Sequence, residues 1–172
     1  MTRLALFLAL VVPALGARPA AAQLGSLGGG TTPPRTVVTW SARAVPERGQ
    51  ARTYRVELTG AIESGWHVYG MRSRAGRPLA VDVSGLPDGF RLLGQPVEAG
   101  LTLTGHDDAL DIDYPYFAER AGVALRVAAG RGVRPGRHVV RGTVRYAACD
   151  DRICLPPRTV PFEATVTVRR GR

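Results

Sequence analysis

Apolar and polar residues alternate in short runs along most of the chain, and glycine or proline breaks the runs. Thr36-Val37-Val38-Thr39-Trp40 predicts a first strand. Between Ala51 and Leu58, a period of two puts Tyr54, Val56 and Leu58 on one face. Arg52, Thr53, Arg55 and Glu57 then lie outside or at the edge. Gly65-Trp66-His67-Val68-Tyr69-Gly70 reads as a short strand between glycines. Further strands are expected over 79–83, 90–93, 123–127, 138–146 and 159–169. The last of these alternates Val160, Phe162, Ala164, Val166 and Val168. Turns are expected at Leu86-Pro87-Asp88-Gly89 and over 130–136. The acidic stretch from His106 to Asp113 reads as a loop, ahead of the aromatic cluster Tyr114-Pro115-Tyr116-Phe117. Long helical periodicities and internal repeats are missing. Eight or nine short strands with turns between them favour an all-β sandwich over a barrel.

The amino terminus breaks this pattern. Arg3 precedes an apolar run from Leu4 to Leu15, and Ala20-Ala21-Ala22 offers small residues for cleavage. Residues 1–22 therefore read as a secretory signal peptide with Gln23 as the mature terminus. The run of twelve apolar residues is shorter than the roughly twenty that a membrane-spanning helix needs. Residues 23–34, with Gly28-Gly29-Gly30 and Pro33-Pro34, read as a flexible tether. One domain is expected over 35–170, soluble and outside the cytoplasm, where disulfides persist.

The net charge is +9, and loss of Arg3 and Arg18 with the leader lowers it to +7. Every basic residue other than histidine is arginine, and the arginines are scattered, with no run longer than Arg169-Arg170. Scattered charge makes a poor nucleic-acid footprint, so no nucleic-acid partner is expected. No Ser/His/Asp set stands out, and the glycines do not form a phosphate-cradling loop.

Chemistry concentrates at the two cysteines, Cys149 and Cys154, separated by four residues. If Asp150 to Ile153 form a turn, the cysteines face each other across an antiparallel pair. At a non-hydrogen-bonded position the facing Cα atoms are about 4.5 Å apart, within disulfide range. A bond could then open and close with little backbone movement. The competing reading is a structural staple, in a non-enzymatic secreted β-sandwich that binds another protein. Chain entropy gives a six-residue loop only about 2 kcal/mol, against about 4.7 for a loop of a hundred. Asp150 and Asp151 disfavour a thiolate here, while Arg145, Arg152 and Arg158 favour one. A copper- or zinc-handling module using both thiols and His67 is a third reading, on thin evidence. His106 with Asp107 and Asp108 reads as a solvated acidic loop more than a metal site.

Tyr146-Ala147-Ala148-Cys149, followed by Cys154-Leu155-Pro156-Pro157, resembles the active-site segment of the amino-terminal periplasmic domain of the DsbD family. Gly65-Trp66-His67-Val68-Tyr69 resembles that family's aromatic-rich strand beside the cysteines. The resemblance implies an immunoglobulin-like sandwich whose Cys149–Cys154 pair cycles between dithiol and disulfide, a thiol-disulfide oxidoreductase needing no metal or organic cofactor. It implies a membrane-embedded thiol transporter as electron donor, and periplasmic thioredoxin-like proteins as acceptors, serving disulfide correction or cytochrome c maturation. It favours Cys154 as the attacking residue. It makes the acidic stretch from Asp107 to Asp113 a cap, with Asp107 and Asp108 flanking the site. Strand alternation puts Trp66 and Val68 on one face, and His67 and Tyr69 on the other. The first pair is then expected in the core and the second beside the cysteines. The best-known members separate their cysteines by one residue more, so the hairpin here must differ. The sequence shows no transmembrane or carboxy-terminal thioredoxin module after the sandwich, so any electron donor is expected to be a separate protein.

Overall fold

The computed structural model describes residues 35–170. The expected leader and tether lie outside the described residues. Those residues form an all-β, immunoglobulin-like sandwich of twelve strands, more than the eight or nine expected because several are only two or three residues long. One layer pairs β1 (Val38–Pro46), β2 (Thr53–Ile62), β9 (Arg120–Ala129) and β5 (Phe90–Leu92), with β6 (Val97–Glu98) also on β9. A second layer orders β12 (Arg158–Val168), β10 (Gly136–Tyr146) and β4 (Ala80–Gly85). A smaller sheet orders β11 (Ala148–Cys149), β3 (His67–Tyr69), β8 (Ile112–Ala118) and β7 (Leu103–Asp107). All pairings are antiparallel.

Alternation explains the core. Tyr54, Val56 and Leu58 of β2 are buried with Val123, Leu125 and Val127 of β9. Val140 and Val144 of β10 and Phe162, Ala164, Val166 and Val168 of β12 complete the same cluster. The first strand begins two residues later than its sequence suggests and runs on to Pro46, in register with β2 throughout.

The small sheet grows out of the sandwich strands. The chain leaves β10 and enters β11 after only Ala147. It passes from β8 into β9 through Glu119 alone, whose φ of 58° turns the strand direction. The Glu119 carbonyl accepts from the Ile62 N–H at the end of β2. The stretch expected to be an acidic loop is instead a hairpin. His106 and Asp107 belong to β7, and Asp113 and the aromatic cluster belong to β8. Its polar residues reach solvent, so the run looks irregular by composition while its backbone is paired. Gly105 makes this possible, because a Cβ there would stand 2.7 Å from the Tyr114 ring.

Phe117 of β8 is fully buried and joins the small sheet to the main core. Phe117→Ala is expected to cost about 3–5 kcal/mol in urea unfolding. A loss under about 1 kcal/mol would contradict this packing.

Candidate functional site

The small sheet has two faces. Ala148 opposes Val68, which opposes Phe117, and all three are buried toward the core. One residue along, Cys149 opposes His67, which opposes Ala118. Next on this second face, Tyr69 opposes Tyr116, which opposes Leu103. The pleat therefore puts Cys149, His67, Tyr69 and Tyr116 on one side. Trp66 is buried in the core, with the Arg35 guanidinium 5.4 Å from its ring centroid.

Cys149 and Cys154 form a disulfide with Cα atoms 4.0 Å apart. The Asp150 N–H donates to the Ile153 carbonyl and the Leu155 N–H to the Ala148 carbonyl, each at 2.9 Å. The cysteines are thus the non-hydrogen-bonded pair between two backbone bonds. Asp150 shapes the turn that closes them. Its carboxylate accepts from the Arg152 and Ile153 N–H groups at 2.8 and 2.7 Å. Such self-capping is why aspartate favours turns. The same N–H groups, Ile153 first, hold the Asp150 carboxyl below its usual range. Sequence reasoning placed Asp150 in the turn but weighed its carboxylate as a repulsive charge and missed the cap; Asp at the first position of a four-residue turn was the available signal.

The two sulfurs differ in access. Cys149 is 2% exposed, while Cys154 is an exposed residue on the outer limb of the turn. Of the nearby arginines, Arg152 lies 3.9 Å from Asp151 and Arg158 donates to Thr36 Oγ1. Arg145 lines a shallow cleft with Arg77, Tyr146 and Pro157.

Four rings line the site's other side. His67 lies 5.3 Å from Tyr69 and 5.5 Å from Tyr116, edge-on to both. Tyr114 lies 5.2 Å from Tyr69 and 6.0 Å from Tyr116. The loop after β3 covers Tyr69, since Gly76, at φ +59°, sits against its ring with no room for a Cβ. His67 Nε2 is buried and lacks a hydrogen-bond partner. Such an orphan costs about 1–3 kcal/mol. Burial lowers the His67 pKa, and the Asp150 carboxylate opposes that shift more weakly. Burial raises the Tyr69 pKa, helped by Tyr114 and Asp107.

The hairpin tip is a separate cluster. Asp107 accepts from the Ala109 and Leu110 N–H groups at 3.0 and 3.1 Å, forming the turn between β7 and β8. His106 Nδ1 lies 2.8 Å from Asp113, and its Nε2 lies 3.7 Å from both Asp108 and Asp111. The Asp113 hydrogen bond raises the His106 pKa. Among the predicted site residues, the structure gathers Cys149, Cys154, His67 and Tyr69, and reaches Asp107 through its field on Tyr69. Asp108 stands in solvent facing His106. Tyr114 and Tyr116, from the aromatic cluster after the acidic stretch, belong to the ring cluster. No grouping of three or more His, Cys, Asp or Glu among the described residues is arranged to hold a metal ion.

No family model and no curated protein matches the sequence. Among solved structures, the fold is similar to the N-terminal periplasmic domain of ScsB from Proteus mirabilis, with a TM-score of 0.40 and 13% identity. That match covers 72% of this chain and 44% of the ScsB chain, so this chain spans less than half of it. It is also similar to MyfA, the major subunit of Myf fimbriae from Yersinia enterocolitica, solved self-complemented with galactose. There the TM-score is 0.27 at 15% identity, over 74% of this chain and 99% of that one. No helix among the described residues is long and apolar enough to cross a membrane.

Two histidines with opposite shifts give a direct check. Proton NMR should find His67 titrating below the ordinary 6.5 and His106 above it. Between the folded and unfolded values of His67, the unfolded chain binds more protons, so acidification through 6.5 weakens folding at this site. His67→Phe should remove that part of the acid destabilisation. The reverse order of titration would contradict the burial of His67.

Proposed function

We propose that the protein is a thiol-disulfide exchange protein of the cell exterior, working in the periplasm after export through residues 1–22. The mature chain would present the domain of residues 35–170 on the tether of residues 23–34. Its Cys149–Cys154 pair accepts electrons from a membrane-embedded thiol transporter resembling those of the DsbD family. It passes them to thioredoxin-like proteins that correct disulfides or serve cytochrome c maturation.

The observation that carries this reading is the asymmetry of the pair, an exposed Cys154 bonded to a buried Cys149. Exchange begins when a thiolate reaches one sulfur in line with the bond, so access selects the sulfur. In the donating direction, the Cys154 thiolate attacks the acceptor's disulfide and displaces one acceptor thiolate. Cys149, held across the strand pair, then attacks Cys154 and releases the second acceptor sulfur. Two electrons leave the dithiol and two protons end on the acceptor. The backbone bonds on either side of the pair and the Asp150 cap do not depend on the S–S bond, so the turn can persist in both states. Ile153, 57% exposed beside Cys154, and Leu103 at the end of the Tyr69–Tyr116 row offer apolar surface to a protein partner.

Single-cysteine variants test the assignment. Cys149→Ala keeps the accessible sulfur and should trap a mixed disulfide with thioredoxin-like proteins of a periplasmic extract. Cys154→Ala keeps the buried sulfur and should trap at least tenfold less. Equal trapping would contradict the assigned order of attack, and no trapping by either would count against an exchange role.

A further inference from the structure

We infer that His67 is the general base for Cys149, taking the proton of the second thiol through its orphaned Nε2. The inference rests on the exchange reading above. In the disulfide state no S–H exists, and His67 Nε2 is buried without a partner. Buried polar atoms are seldom left so, and each exception calls for a reason. The register supplies one. Cys149 is the direct cross-strand neighbour of His67, and such facing residues have Cβ atoms about 4.5–5.5 Å apart. When the S–S bond opens, Cys149 gains an S–H donor directly across the strand pair from His67.

The surroundings suit a base. Tyr69 of the same strand and Tyr116 of β8 pack edge-on against the imidazole. Burial raises the Tyr69 pKa, so its phenol stays neutral near pH 7. Burial disfavours the imidazolium, so the ring stands neutral and ready to accept. From the cysteine turn, the Asp150 carboxylate favours the imidazolium once the proton has moved.

The proton balance follows. With Cys154 joined to the acceptor as a mixed disulfide, the Cys149 S–H passes its proton to His67 Nε2. The Cys149 thiolate attacks Cys154 Sγ, forming the internal bond and breaking the intermolecular one. The acceptor sulfur leaves as a thiolate with the electron pair, and His67 returns the proton to it or to water. Without the base, Cys149 depends on its own ionisation, unfavourable for a buried thiol below its ordinary pKa of about 8.5.

The aromatic disulfide 5,5′-dithiobis(2-nitrobenzoate) separates the two steps in the dithiothreitol-reduced protein, freed of excess reductant. The first coloured thiolate reports attack by Cys154, and the second reports resolution by Cys149. His67→Gln and His67→Phe should leave the first phase within about twofold of wild type. Both should slow the second at least tenfold at pH 7, within the range of general-base contributions. The wild-type second phase should rise through a midpoint below 6.5, and the variants should rise only at alkaline pH, where the thiol itself ionises. His67→Phe preserves the ring packing, and an unchanged first phase shows that the site is still formed. An unchanged second phase and pH profile in both variants would overturn the role of His67 while leaving exchange intact. Failure of dithiothreitol to open the bond in the folded protein would instead overturn the exchange reading itself.

Discussion

The site depends on the pleat of a three-residue strand, His67–Tyr69, paired along both edges. With β11 on one side and β8 on the other, the strand has no freedom to slip. A shift of one residue would turn Val68 outward and bury His67 and Tyr69 against the core. Val68, fully buried between Ala148 and Phe117, is the weight that prevents this. The same alternation that builds the core therefore puts His67 and Tyr69 on the face that carries Cys149. Core and site are opposite faces of one small sheet.

That sheet is an outgrowth of the sandwich. β11 continues β10, and β8 becomes β9 through the single residue Glu119, so the site inherits the rigidity of the long strands. Two aspartates finish it. Asp150 closes the cysteine turn and Asp107 closes the hairpin tip, each by taking backbone N–H groups onto one carboxylate oxygen. Charges that look in sequence like a repulsive field around a thiol act locally as turn-builders. One sulfur is left at the surface, and the other is buried on the strand that pairs with His67.

Much of the fold was legible because burial follows a period of two. Tyr54, Val56 and Leu58, and Phe162 through Val168, fall in the core as their alternation predicts. Trp66 and Val68 divide from His67 and Tyr69 for the same reason. The hairpin of β7 and β8 was not legible, because acidic residues facing solvent on a small sheet carry the composition of a loop. Glu119 was hidden too, since a positive φ in glutamate has no compositional signal. The unequal exposure of the cysteines and the isolation of His67 Nε2 come from three strands meeting, which local pattern does not encode. The role of the cysteines entered the sequence reading largely through a resemblance, while their contact and asymmetry belong to the structure.

The account stands on a bond that opens and closes under conditions outside the inner membrane. Equilibrating the folded protein with graded thiol-disulfide buffers and counting free thiols gives the reduction potential of Cys149–Cys154. A value between about −180 and −270 mV is predicted, matching the thiol-disulfide proteins with which it would exchange. A value below about −300 mV would mark a structural bond and contradict the account.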